Sequence, residues 1–152
     1  MKTILYFWQL PQHITGFLFI TLLKAKKYVW PYKDKNINYW QFEQNNWFTR
    51  LVSGFSLGQY IILPLKSEKE KTILHEYGHS IQSKYLGLFY LLLIGVPSVV
   101  FNNLWDRAFH KNWSTERRYK WYYNRYPEKW ADKLGSVKRF EKVLELFGNF
   151  SF

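Results

Sequence analysis

Two stretches of this 152-residue chain, 3–23 and 85–105, contain no Lys, Arg, Asp or Glu. Each holds 21 residues, and an α-helix of that length would cross a bilayer core of roughly 30 Å. We expect the first to be a membrane anchor, either a kinked span or a helix lying in the interface, or otherwise a buried core helix. The second contains "GVPS", so we expect one kinked span or a re-entrant hairpin that turns at residues 95–98.

The rest of the composition narrows the class of protein. The formal net charge is +11 and aromatic residues make up 22% of the chain, which is typical of nucleic-acid surfaces and of membrane interfaces. A nucleic-acid-binding protein would not explain the two uncharged stretches, so we expect a lipid bilayer as partner and no nucleic acid. The length suits a single domain, residues 1–152. Cysteine is absent, so a transition-metal site must use His, Asp or Glu.

The segment "TILHEYGHSIQSKYLG", residues 72–87, contains an H-E-x-x-H motif. On a helix His75 and His79 share one face, so both imidazoles can reach one metal ion. Glu76 lies beside the first ligand and can take a proton from a water that zinc activates. The alternative is two solvent-exposed histidines at a chance spacing. Gly78 is a poor helix former, and its presence indicates that a substrate or another backbone comes close.

A second pair of acidic residues follows in "PEKWADKLG", where Glu128 and Asp132 stand four residues apart. A catalytic zinc needs three protein ligands and one open position, and Glu128 can be the third ligand. Asp132 can accept a hydrogen bond from a ligand imidazole, which fixes its tautomer. The alternative is a solvated helix face on which Glu128 pairs with Lys129 or Lys133.

H-E-x-x-H followed by E-x-x-A-D resembles the gluzincin metallopeptidases. The closest resemblance is to the membrane-embedded branch that includes the CAAX prenyl-protein endoproteases and the bacterial heat-shock membrane protease HtpX, and to a group of small bacterial membrane proteins. It implies His75, His79 and Glu128 as zinc ligands, Glu76 as general base and Asp132 as the support of a ligand histidine. The resemblance covers two short motifs and the hydrophobic pattern between them. Large members have several spans, whereas this chain has at most two candidates, so the substrate class does not carry over.

The expected fold is mostly α, with a short β-strand or small sheet beside a membrane-associated, helical zincin-like core. Peptidases of this type hold the substrate as an extra strand beside a sheet edge. Residues 57–63, "LGQYIIL", are the candidate edge strand, and Gln59, Tyr60 and Ile61 would contact the substrate backbone. A last amphipathic helix is expected near residues 136–147.

Stabilising an oxyanion needs a hydrogen-bond donor near the metal. The candidates lie in the basic, aromatic tail, and the sequence does not choose among them: His110, Arg125, Tyr122 and Tyr123.

These features together predict a zinc-dependent, membrane-associated endopeptidase of the bacterial cytoplasmic membrane. It would hydrolyse peptide bonds of a peptide or protein substrate with a metal-activated water. The alternative is a catalytically inactive, zinc-stabilised membrane or interaction protein. Glu76 argues against that alternative, because a purely structural metal site has no need of a base.

Overall fold

The fold is mostly helical and includes one small sheet, as expected. The structure, a computed structural model, describes residues 6–45, 49, 54–67 and 69–139. Its α-helices are α1 (Leu10–Leu22), α2 (Lys69–Leu86), α3 (Trp105–Phe109), α4 (Thr115–Tyr123) and α5 (Glu128–Gly135). The Ser114 side chain caps α4 by accepting a hydrogen bond from the Arg117 backbone N–H at 3.3 Å.

The sheet has four strands: β1 (Lys26–Tyr32), β2 (Lys35–Phe42), β3 (Phe55–Leu57) and β4 (Tyr60–Pro64). Their spatial order is β1-β2-β4-β3. The pairs β1–β2 and β3–β4 are antiparallel, whereas β2 and β4 run parallel. The predicted strand at 57–63 is therefore a hairpin, and Gly58 turns it with a φ of +62°, a value that suits glycine.

Helices cover both faces of β4, because successive strand residues point to opposite sides. Ile61 and Leu63 pack against Ile73 and Leu74 of α2. Ile62 points the other way and belongs to a second cluster that includes Phe19 of α1. All of the β4 residues just named are at most 2% exposed, so the strand is fixed between the two helices.

The second uncharged stretch does not form the predicted hairpin. The chain turns at Gly87, whose φ is +52° and whose α-carbon lies against the Trp8 indole. It is then helical over residues 90–109, through the π-helical segments Leu91–Gly95 and Pro97–Leu104 and into α3. The hairpin predicted at residues 95–98 is wrong. Pro97 clashes with a regular α-helix interior, and the wider π-helical turns accommodate it without breaking the helix.

Large apolar side chains are exposed along α1 and the 90–109 segment. Those more than half exposed are Ile14, Phe17, Leu18, Leu22, Leu92, Val99, Phe101, Leu104 and Phe109. Within the described residues, no helix combines the length and the apolar character needed to cross a membrane. Residues 3–5 of the first stretch lie outside the described residues.

The helix expected near residues 136–147 is not found at its start. Ser136 adopts a left-handed conformation that ends α5, and residues 137–139 are not helical. Residues 140–147 lie outside the described part of the chain.

Candidate metal centre and cleft

The two motif helices, α2 and α5, are in backbone contact through two glycines. A β-carbon at Gly78 would collide with the carbonyl oxygen of Ala131. One at Gly135 would collide with the carbonyl oxygen of Leu74. The expectation that a backbone approaches Gly78 is thus confirmed. This contact brings the start of α5 beside the histidines of α2.

Three of the predicted residues converge in a buried group that could hold a metal ion. His75, His79 and Glu128 are each at most 6% exposed. The Nε2 atoms of both histidines lie 3.1 Å from the same carboxylate oxygen, Glu128 Oε2. One ligand atom from each residue falls within 4.8 Å of the others. Tetrahedral zinc with bonds of about 2 Å places its ligands roughly 3.4 Å apart, so the donor set and its spacing fit such an ion.

The remaining nitrogen of His75 contacts Asp132, the residue predicted to support it. His75 Nδ1 lies 2.7 Å from Asp132 Oδ1. A carboxylate accepts hydrogen bonds, so the Nδ1 atom carries a proton, and Nε2 is the nitrogen that would bind a metal ion. Asp132 is held in turn by Arg139, whose Nε donates to Oδ2 at 2.7 Å.

Arg139 reaches the site from the segment after α5, a contact that the sequence did not predict. Its side chain is 4% exposed. It donates to Tyr119 Oη at 2.5 Å, and its guanidinium lies 3.5 Å from the ring centroid of Tyr123. No spacing in the sequence connects Arg139 to Asp132, because the contact depends on how the chain turns after α5.

His79 has a different support, Gln82, which the sequence analysis also missed. His79 Nδ1 lies 2.7 Å from Gln82 Oε1. The Gln82 amide nitrogen donates to the Pro127 carbonyl oxygen at 3.1 Å, which leaves the amide oxygen to accept from His79. Gln82 stands three residues after His79 on α2, on the same helix face, and this spacing was the available signal.

The second oxygen of Glu128 is also bonded. Ser98 Oγ donates to Oε1 at 2.5 Å, and Asn102 Nδ2 lies 3.5 Å from it. Burial alone would raise the pKa of Glu128, but the hydrogen bonds from His75 and His79 outweigh burial and hold it well below its usual range. The carboxylate therefore stays ionised, as a metal ligand must.

Burial lowers the pKa of His75, but the carboxylates of Asp132 and Glu128 more than offset it and raise the pKa to about 9. The two carboxylates thus make this pocket strongly favourable for a cation. A bound metal ion would supply that positive charge in place of a proton on His75.

Glu76 is placed as a base would be. It is 4% exposed, and its Oε2 atom has no hydrogen-bond partner among the described residues. Burial raises the pKa of Glu76, and the neighbouring His79 and His75 oppose that shift. An unpartnered carboxylate oxygen beside the histidines is available to accept a proton from a water or substrate.

A cleft of about 1060 Å³ opens onto this group. His75, Glu76, His79 and Glu128 line it, together with residues of α1, β3, α4 and the 90–109 segment. The site is therefore accessible to a molecule much larger than water.

The four oxyanion candidates separate into two pairs. Tyr122 and Tyr123 line the cleft, whereas His110 and Arg125 are not part of its lining. The His110 ring stacks on Trp113 with centroids 3.8 Å apart. The guanidinium of Arg125 lies 4.6 Å from the centroid of the Trp121 ring. His110 and Arg125 are thus engaged in packing away from the metal group.

The predicted substrate edge is also corrected. β4, which contains Tyr60 and Ile61, lies between β2 and β3, and Gln59 belongs to the turn before it. The strand pairs with β3 through Tyr60–Ile62 and with β2 through Ile62–Pro64, so it is internal to the sheet. Among the described strands the edge beside the cleft is β3, because its residues line the cleft. Tyr90 Oη donates to the Ser56 carbonyl oxygen at 2.9 Å and holds this strand in place.

No family model, curated protein or solved structure matches the chain.

Proposed function

We propose that this protein is a zinc-dependent endopeptidase of the gluzincin type that works at a membrane. The observation that carries the proposal is the buried His75–His79–Glu128 group with the unpartnered Glu76 carboxylate beside it, open to a cleft. When bound, zinc would lower the pKa of a coordinated water to roughly 7 and so supply a nucleophile at neutral pH.

The chain's own residues supply the other functions that peptide hydrolysis needs. Glu76 accepts a proton from the attacking water and delivers it to the departing amine nitrogen. The edge of β3 binds the substrate backbone as an added strand. These roles divide the cleft between a strand that positions the peptide and a carboxylate that moves the proton.

Tyr122 is the better placed of the two tyrosines to donate a hydrogen bond to the oxyanion. Its hydroxyl is hydrogen-bonded with Ser98, and the single Ser98 proton goes to Glu128, so Tyr122 is the donor of this pair. Burial raises the pKa of Tyr122 well above its usual range, so the hydroxyl keeps its proton at neutral pH. The Tyr123 ring instead lies under the Arg139 guanidinium.

The decisive experiment is the Glu76→Gln variant, measured for zinc content and for cleavage of any peptide that the wild type cuts. Glutamine matches glutamate in size, so fold and metal should survive. It cannot take up the proton, and general-base contributions are commonly on the order of 10²- to 10⁴-fold, so turnover should fall by that amount. Glu70→Gln, at an exposed position in the first turn of the same helix, is the matched control and should cleave normally.

A Glu76→Gln protein that keeps zinc and cleaves at the wild-type rate would show that Glu76 is not the base. Zinc binding by a wild type that cuts no peptide would favour a zinc-stabilised protein without activity.

Membrane association is supported by the exposed apolar side chains of α1 and the 90–109 segment and by the net charge of +11. Apolar surface of this extent favours contact with lipid, and basic residues favour anionic headgroups. We expect the protein to float with liposomes and to need detergent in their absence. Recovery of a monodisperse protein in plain buffer would contradict this part of the proposal, which places the protein in the bacterial cytoplasmic membrane.

A further inference from the structure

The 90–109 segment runs along the whole cleft and contacts the metal group at its middle. Ser98 and Asn102 approach Glu128. Leu91 lies seven residues before Ser98, and Arg107 lies nine residues after it, and both line the cleft. At a helical rise of 1.5 Å per residue, each end of the lining is roughly 10 Å or slightly more from the level of the metal group.

The two ends of the cleft differ in chemistry. At the Leu91 end, Ile94 packs in a cluster with Leu57, and Phe19, Phe55 and Leu91 pack against that cluster. All five residues also line the cleft. This end therefore offers an apolar surface formed by three separate elements: α1, β3 and the 90–109 segment.

The opposite end is charged and polar. Asp106, Arg107 and Arg118 line the cleft there. Arg118 donates to Asp106 Oδ2 through both Nε at 3.0 Å and Nη2 at 2.6 Å. A buried apolar side chain would gain little beside this ion pair, whereas a polar side chain can form hydrogen bonds with it.

An extended peptide advances roughly 3.3 Å per residue, so each arm of the cleft accommodates about three residues on one side of the scissile bond. We infer that the substrate is an amphipathic segment, with large apolar side chains within about three residues on one side of the cleaved bond and polar or charged residues on the other. This inference rests on the proposed peptidase function and names the class of substrate for it.

Four peptides of equal length with one fixed central dipeptide test the inference. The flanks before and after the dipeptide are apolar and polar in the first peptide, and polar and apolar in the second. Both flanks are apolar in the third peptide and polar in the fourth. One of the two mixed peptides should be cut with the highest kcat/KM. The kcat/KM of the polar–polar peptide should be about 10- to 100-fold lower, because each apolar contact in a pocket contributes discrimination of this order. Affinity for the zinc-loaded Glu76→Gln protein, measured by fluorescence anisotropy, should follow the same order without any cleavage.

The variant Leu91→Asp connects the preference to the apolar end. It should lower kcat/KM for the preferred peptide by about tenfold or more, and Leu91→Ala should do so by less. Leu88→Asp is the matched control: Leu88 lies three residues before Leu91, is 52% exposed and is not part of the cleft lining. Arg107→Glu should change the preferred charge of the polar flank. Zinc content should stay constant in all four variants.

Cleavage of all four peptides at equal rates would overturn this inference and leave the proposed function standing. Equal losses in Leu91→Asp and Leu88→Asp would likewise contradict it. Failure of the zinc-loaded wild type to cut any of the four would overturn the proposed function, and the inference with it.

Discussion

The two histidines of α2 are four residues apart, yet their Nδ1 atoms are held by different chemistry. His75 is held by Asp132, a carboxylate that Arg139 pairs from the segment after α5. His79 is held by Gln82, a neutral amide on its own helix. A buried charge needs a partner to offset its desolvation, so the first support requires a third residue from elsewhere in the chain. The neutral support requires no ion pair, only the Pro127 carbonyl that accepts from the Gln82 amide.

The difference indicates how the site depends on the rest of the chain. The Gln82 support brings two residues of α2 together, and the Pro127 carbonyl then orients the amide so that its oxygen faces His79. The Asp132 support forms when α5 packs on α2 and the following segment brings Arg139 into place. Charge-assisted hydrogen bonds are roughly twice as strong as neutral ones. We call His75 with Asp132 and Arg139 the His75 side, and His79 with Gln82 the His79 side. We expect the His75 side to contribute more to metal affinity than the His79 side and to be lost more easily.

The largest effect should come from removing a ligand itself, which tests whether the two sides converge on one ion. His75→Ala and His79→Ala should each lose most of the bound zinc, a greater loss than the roughly 10- to 100-fold that outer partners control. Elemental analysis of the purified proteins measures it. Retention of a full zinc complement by His79→Ala would show that the ion is not shared between the two sides.

Removal of Asp132 should have the next largest effect. Asp132→Ala leaves His75 free to rotate and leaves Arg139 buried without its carboxylate, so zinc affinity should fall roughly 10- to 100-fold. Asp132→Asn keeps an acceptor oxygen without the charge and should fall between the wild type and Asp132→Ala. Competition with a chelator of known affinity measures both. Equal affinities for Asp132→Asn and wild type would show that orientation alone matters.

The residues that form and support the metal group could be predicted from the sequence only in part. His75, His79, Glu128 and Asp132 were found because their spacing is local, four residues on one helix face. Gln82 carried a similar local signal three residues after His79, but an amide is not itself a catalytic or ligand residue in such motifs. Arg139 carried none, because its position depends on the chain path after Ser136.

The fold shows the same limit. The hairpin of β1 and β2 was not predicted, because its aromatic and basic residues are also typical of a membrane interface. The missed strand signal was the alternation of polar and apolar residues at 36–39, and the apolar residues Ile37 and Tyr39 are the buried ones. Whether β4 or β3 forms the edge depends on the order of all four strands, which local sequence does not determine. The segment "GVPS" suggested a turn, but π-helical turns accommodate Pro97 and the segment is helical.

Gln82→Ala should weaken zinc binding less than Asp132→Ala, by about tenfold, the low end for outer partners, because a neutral hydrogen bond is lost. Gln82→Glu is the sharper variant. It places a carboxylate against His79 Nδ1, but no arginine among the described residues pairs that carboxylate, and its second oxygen faces the Pro127 carbonyl in place of the amide N–H, so zinc affinity should fall below that of the wild type. The same chelator competition applies. A larger loss in Gln82→Ala than in Asp132→Ala would reverse the order proposed for the two sides.

Arg139→Met should have the smallest effect on the metal and a distinct effect on the fold. Asp132 would still accept the hydrogen bond from His75, so zinc affinity should fall by less than about tenfold, below the range for direct partners of the ligands. Stability should respond more strongly, because the partly buried Asp132 loses a charge-assisted hydrogen bond, typically about 1.5 to 3 kcal/mol. Arg118→Met is a useful control, since it removes a comparable Arg–Asp pair at Asp106, away from the two histidines. It should lower the free energy of unfolding without changing zinc affinity. If Arg139→Met instead weakened zinc binding as much as Asp132→Ala, the carboxylate would depend on Arg139 for its placement, and the His75 side would act as one unit of three residues.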